Sequence, residues 1–258
     1  AAVYLAGATK GLEPDSLQTY ALDHKAAAGL PRVAFVYQLQ SPFVYGEVAP
    51  AGGAIAGPGH LPTIIHPNEI LDGALVNSFT VIACMREATY LVQNHRVIQE
   101  LYAGHGKTLD FRGVVLYTNG DSVTTKERIS SYASNLGVLL GAQGAILNYL
   151  GGGHPIVDVM MTCEKLEKRG VKTTLLLMEM AVNPEDSGHV HYVRDADAIV
   201  STGNYEQVVQ LGKVSKVLGG SQILETGEEA SGAFSIALRS VLGSTSQFGA
   251  GTLRGRAY

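Results

Sequence analysis

The sequence predicts an α/β protein: a mainly parallel sheet of βαβ units with helices on both faces, doubly wound in the Rossmann-like manner. Three observations lead there. Short apolar, β-branched runs alternate with amphipathic stretches of helical length. A glycine closes most of the helical stretches. Finally, 258 residues with 46% hydrophobic and 16% charged side chains can fill a sizeable core.

The opening AAVYLAG is helix-like or strand-like and starts without a leading cap. Arg32 to Leu39 (RVAFVYQL) is β-rich, follows Gly29-Leu30-Pro31, and reads as a buried strand. Gln40 to Leu61, rich in proline and glycine, reads as a long loop, and long loops in compact domains tend to serve function. Leu75 to Tyr90 is a strand-like apolar segment. In His95 to His105, Val97, Ile98, Leu101 and Tyr102 have helical spacing. Phe111 to Tyr117 reads as a strand, Thr124 to Leu140 as a helix, and Gly144 to Tyr149 as a strand. Val157 to Arg169 is a helix, Lys172 to Met178 a strand, and Ala198 to Ser201 a short strand. Gly232 to Val241 is an added strand or an outer helix.

In such sheets ligands gather where strands end and loops begin. The loops expected there are Thr118-Asn119-Gly120-Asp121, Gly151-Gly152-Gly153-His154 and Thr202-Gly203-Asn204. The three glycines suit a phosphate cradle but match neither the Walker nor the GxGxxG spacing, so a flexible turn is the competing reading.

Charge excludes several partners. The net charge is −4, from 19 Lys+Arg and 23 Asp+Glu without like-charge blocks, so no nucleic-acid or membrane-surface partner is expected. No apolar run is long enough to span a bilayer, and the start lacks the features of a signal peptide. Two separate cysteines, Cys84 and Cys163, fit a reducing compartment, so a cytoplasmic location is expected. The eight histidines form no HxH or HExxH ligand pattern, and His189 with His191 lacks a third ligand, so no metal site is expected. Cys163 reads as a buried small hydrophobe, as does Cys84 within VIAC.

Nucleophilic chemistry has one place to live. The Leu75–Tyr90 segment carries Asn77, Ser78, Thr80 and Cys84 and follows His66, Asn68, Glu69 and Asp72. The bland alternative is a turn and helix start capped by Asn68 or Asp72, with Thr80 an ordinary strand residue.

Several stretches resemble the glycine/sarcosine/betaine reductase component B alpha–beta proprotein, a family related to the proline reductase proprotein. They include VYGEVAP, LPTIIHPNEILDGALV, IACMREATYLVQNH, LYAGHGKTLDF, TKERIS, LGAQGAI, DVMMTCEKLEKRGVKT, ADAIVSTGN and LRSVLGSTSQFGAGTLRGRAY. HPNEILDGA and DVMMTCEKLEKRG are the most specific. The likeness is to that proprotein's C-terminal portion, so the family's N-terminal domain is expected ahead of Ala1 or as a separate subunit.

The resemblance implies that the backbone breaks in front of one residue, which becomes a ketoacyl group. The family's segment reads like NCVSAC; here it is Phe79-Thr80-Val81-Ile82-Ala83-Cys84. Thr80 stands where the family has the processed cysteine, Phe79 where it has asparagine, and Cys84 matches the second cysteine. The expected cut separates residues 1–79 from 80–258, two pieces that fold together. Cysteine or serine gives pyruvoyl, whereas threonine gives 2-oxobutanoyl. A hydroxyl needs a base and an oxyanion donor, and His66, Glu69, Asn68 and Asn77 are nearest in sequence.

The ketone is expected to form a Schiff base with a small amine or amino acid for reductive C–N cleavage. A selenol- or thiol-bearing partner subunit, or Cys84, supplies the nucleophile, and an oligomer with further subunits is expected. Two alternatives remain open: an N-terminal-threonine hydrolase, and an uncleaved paralogue that binds a small molecule or scaffolds a complex.

Overall fold

The computed structural model describes residues 2–13, 15–39, 43–45, 61–77, 89–149, 154–179, 195–204, 206–224 and 226–241. At its centre lies β1 (Arg32–Leu39), buried from Ala34 to Leu39. A strand with apolar residues in consecutive positions must be covered on both faces, and this one is. β1 pairs in parallel with β5 (Asp110–Thr118) on one side and with β6 (Gly144–Tyr149) on the other. β7 (Lys172–Glu179) and β8 (Ala198–Asn204) extend the parallel sheet beyond β6. At the opposite edge β3 (Thr63–Ile65) pairs antiparallel with β5, giving the order β3-β5-β1-β6-β7-β8.

The five parallel strands thus follow the 2-1-3-4-5 order, the flavodoxin-type variant of the doubly wound fold. Helices lie on both faces, as the sequence predicts. Phe35, Tyr37 and Leu39 of β1 pack with Phe111, Val114 and Leu116 of β5 on one face. That face is covered by α2 (Pro67–Leu71), α3 (Thr89–Gln93) and α4 (Arg96–Gly104), through Ile70, Val92, Val97, Ile98 and Leu101. The other face presents Val36, Val115, Ala145, Leu147, Leu175 and Leu177 to α5 (Val123–Leu139) and α6 (His154–Glu167). Ser122 caps α5 by accepting from Thr125 N at 3.2 Å, and Gly141 and Gly170 take positive φ just past α5 and α6.

Several local expectations are corrected. Phe43–Tyr45 (β2), expected as loop, pairs antiparallel with β4 (Leu75–Asn77), because the two short segments satisfy each other's backbone groups. The Leu75–Tyr90 segment is therefore a strand only over β4 among the described residues, and it becomes helical at Thr89. β8 runs on through Thr202-Gly203-Asn204, expected as loop, with Asn204 paired to Glu179. The Gly232–Val241 stretch holds both of its offered forms: β10 (Phe234–Ala237) pairs with β9 (Val208–Leu211), and a 3-10 turn follows at Leu238–Ser240. The opening is a helix, α1 (Ala2–Ala8). Among the described residues no helix is long and apolar enough to cross a membrane.

The sheet interleaves the chain on either side of Thr80. β1 and β3 precede that position, whereas β5 and β6, their hydrogen-bonded neighbours, follow it.

Candidate functional site at the carboxyl edge of the sheet

Parallel strands deliver their carboxyl ends to one edge, and ligands bind where the crossovers diverge. Here that point lies between β1 and β6. Polar side chains are buried there at the ends of largely apolar strands: Gln38 on β1, Thr118 on β5 and Asn148 on β6. Gln38 Nε2 donates to the Pro155 carbonyl at the start of α6 at 3.1 Å, which turns its Oε1 away from that bond. That Oε1, the Thr118 hydroxyl and both amide atoms of Asn148 have no hydrogen-bond partner among the described residues. Buried polar atoms in native proteins rarely stay unpaired.

The α5–α6 face of this edge is locked. Gly120 N donates to Asp158 Oδ1 at 2.8 Å, and Lys126 Nζ reaches Asp158 Oδ2 at 2.5 Å. Burial pushes the Asp158 carboxyl above its ordinary range, while the Gly120 amide and the Lys126 ammonium oppose it. Glycine is required at 120 by space, since a Cβ would sit 2.6 Å from Lys126 N and 2.9 Å from the Thr125 carbonyl carbon. The β5–α5 loop is thereby pinned to α6, at the edge where the sequence places a ligand loop.

The α2–α4 face is greasier and carries His95, which precedes α4. Its ring stands edge-on to Phe35 and Tyr37, 5.2 Å from each, and is wholly buried. Burial lowers its pKa to about 3, so the imidazole is neutral at physiological pH. Asn148 belongs to this face: Leu147 before it points into the α5–α6 core, and its neighbour in register on β1 is Tyr37.

The residues expected from sequence fall elsewhere or are engaged locally. His66 caps α2: its Nδ1 accepts from Asn68 N at 3.2 Å, while Glu69 Oε1 accepts from His66 N at 2.8 Å. This capping box is the helix start foreseen by the bland alternative, with His66 rather than Asn68 at its N-terminus. Asp72 is the C-cap. Asn68 bridges two tyrosines, donating to the Tyr20 carbonyl at 3.0 Å and accepting from the Tyr102 hydroxyl at 2.5 Å. Burial first, then the Asp72 charge and Tyr20, raise the Tyr102 pKa to about 12. Tyr20 and Tyr102 line an open groove of about 380 Å³ with Gln18 and Gln99. Asn77 ends β4 opposite Phe43. Phe79, Thr80, Cys84, Gly151-Gly152-Gly153, His189 and His191 lie outside the described residues. In sequence order the Phe79–Thr80 bond falls between β4 and α3, whose Leu75 and Val92 belong to the α2–α4 core.

A second cluster went unseen in the sequence. His24, His105 and Asp110 bring potential metal-ligand atoms within 4.8 Å of one another at the amino end of β5. His24 Nδ1 meets Asp110 Oδ1 at 2.7 Å, Arg112 Nη1 donates to Asp110 Oδ2 at 3.1 Å, and His105 Nδ1 accepts from Phe111 N at 3.0 Å. The Arg112 charge and the occupied His105 Nδ1 make it an ion-pair network. Burial would raise the Asp110 pKa, but the His24 and Arg112 contacts prevail and lower it. Its contribution to stability is therefore complete above the unfolded carboxylate range and lost as pH falls through the depressed folded value. Asp110→Asn is expected to cost about 1–3 kcal/mol at neutral pH. Urea denaturation checks this, and the deficit is expected to shrink below about pH 4.

His95, Asn148 and this network were missed for one reason: each is assembled by the sheet rather than by sequence spacing. Only Asn148 left a trace, as the single amide inside the apolar strand GAILNY.

Fold and site together define a doubly wound α/β protein whose sheet carries, at its switch point, buried polar groups with no partner among the described residues. Comparison with known proteins identifies the lineage. The model of glycine/sarcosine/betaine reductase component B subunits matches residues 1–250, and the chain belongs to that family. It is 32% identical over 280 residues to glycine reductase complex component B subunits alpha and beta of Peptoclostridium acidaminophilum, covering 100% of this chain and 63% of the relative. Betaine reductase complex component B subunit alpha of the same organism is 33% identical over 227 residues, covering 84% and 51%. Its sarcosine reductase counterpart is 32% identical over 235 residues, covering 88% and 54%. The chain thus spans less than two thirds of the length of the curated relatives it matches. No solved structure gives a significant match.

Proposed function

We propose that the chain is the substrate-activating subunit of an amino-acid reductase, matured by scission of its own backbone before Thr80. Family membership supports the proposal, together with the resemblance that sets a hydroxyl residue, Thr80, against the family's processed cysteine. Thr80 Oγ1 attacks the Phe79 carbonyl carbon, and the amide becomes an ester. Removal of the residue-80 α-proton expels the Phe79 carboxylate and leaves a dehydro residue. Tautomerisation and hydrolysis consume one water, release one ammonia and give 2-oxobutanoyl, with no oxidant or reductant involved.

Such a ketone supplies an electron sink for a substrate amine, the role that bound pyridoxal plays elsewhere. The described carboxyl edge of the sheet offers two built features. His95 is a neutral, aromatic-flanked imidazole, and the Gly120–Asp158–Lys126 lock holds the neighbouring loop. Cys163 is unsuited to be the reducing nucleophile. It is buried beside Thr173, and burial pushes its thiol up to about 11. The proposal therefore takes a thiol or selenol from a partner subunit, or Cys84, as the group that attacks the substrate.

Because β1 is hydrogen-bonded between strands that follow the cut, the two pieces are expected to stay together until denatured. Carbonyl labelling of denatured protein tests the function. Hydroxylamine or borohydride is expected to modify only the piece beginning at residue 80. Cleavage without labelling points to the N-terminal-threonine hydrolase, and an uncut chain to the scaffold or binding paralogue, which the loss of the family's cysteine favours.

A further inference from the structure

We propose that Asn148 reads the amino and carboxylate groups of the substrate, and so sets selectivity by the number of N–H bonds on its nitrogen. The choice of ligand class rests on the function proposed above; the placement of the reader does not. Two independent observations support it. β1 and β6 flank the switch point of the sheet, and Asn148 lies next to the carboxyl end of β6. Its side chain is wholly buried, with neither Nδ2 nor Oδ1 paired among the described residues.

A carboxamide presents a donor and an acceptor side by side. Its complement is a group that presents an acceptor beside a donor while adding no net charge. Tyr37, His95 and Thr118 are polar residues buried on the face that Asn148 occupies, and none is a cation: Tyr37 is the β1 partner of Asn148 in register, and His95 is neutral. A lone carboxylate would enter uncompensated, at high cost. The zwitterion of a small α-amino acid satisfies both conditions. Its carboxylate accepts from Asn148 Nδ2, and its ammonium donates to Asn148 Oδ1.

The consequence is a rank order. Glycine carries three ammonium N–H bonds, sarcosine two and betaine none. Betaine keeps the carboxylate contact but leaves Oδ1 buried and unpaired, a penalty of roughly tenfold or more in affinity.

Calorimetric titration of the purified chain with glycine, sarcosine and betaine tests this. The wild-type protein is expected to bind glycine at least about tenfold more tightly than betaine, with sarcosine between. Asn148→Leu, which removes both polar atoms at similar volume, is expected to bring the glycine-to-betaine ratio near unity. Asn148→Asp, which swaps the donor for an acceptor, is expected to weaken all three. The inference is overturned if wild-type protein binds none of them, if betaine binds as well as glycine, or if Asn148→Leu keeps the wild-type ratio. The wild-type ratio requires no variant to fold. A chain that selects through Asn148 but is uncut removes the proposed maturation alone; a cut, ketone-bearing chain whose selectivity ignores Asn148 removes this inference alone.

Discussion

Replacing Thr80 by valine is expected to abolish scission completely. Valine keeps the branched shape and loses only the hydroxyl, so any loss of cleavage reports on the oxygen rather than on packing. No other atom of residue 80 can form the ester, and without the ester there is no leaving carboxylate. The variant should run as one band on a denaturing gel where wild-type protein runs as two. Thr80→Ser is expected to cut and to yield pyruvoyl, and Thr80→Cys to cut with the better nucleophile. Two bands from Thr80→Val would place the attacking group on another residue and refute the chemistry proposed for this position.

Acidification is expected to destabilise the fold through His95. The ring is fully buried between Phe35 and Tyr37, and its pKa is lowered from 6.5 to about 3. The unfolded chain takes up a proton near the ordinary value, and the folded chain refuses it. Stability is therefore intact above that value and falls progressively as pH drops toward the folded one. At roughly 1.4 kcal/mol per pH unit, about 2–3 kcal/mol should be lost between pH 6.5 and pH 4.5. Urea denaturation across that window measures it. His95→Phe, an aromatic of similar size, is expected to flatten the dependence. Parallel curves for the two proteins would mean that the buried ring is not the acid-sensitive element. The Asp110 effect falls at lower pH, so the two windows separate.

Local pattern made the central run legible. β5, α5, β6, α6 and β7 each sit within a few residues of the predicted bounds, because apolar runs and closing glycines act within the element itself. Sheet order was not legible. Nothing in RVAFVYQL says that it lies between β5 and β6, or that Thr63–Ile65 joins the far edge in the opposite direction. Phe43–Tyr45 forms a strand only with Leu75–Asn77, a partner distant in sequence, so it reads as loop when viewed alone.

The polar residues divide in the same way. The density of His66, Asn68 and Glu69 drew attention in the sequence, yet in the fold His66 and Glu69 complete a helix cap and Asn68 a tyrosine bridge. Asn148 drew none, and its significance lies in burial without partners among the described residues, a property visible only after folding. His24 lies 86 residues before Asp110, so no local motif could have joined them.

The most direct measurement is the mass of the mature protein under denaturing conditions. Two components are predicted: residues 1–79 ending in a free carboxylate, and residues 80–258 lighter by one ammonia than the same piece beginning with threonine. A single component with the mass of the intact chain, from material that turns over substrate, would contradict the account.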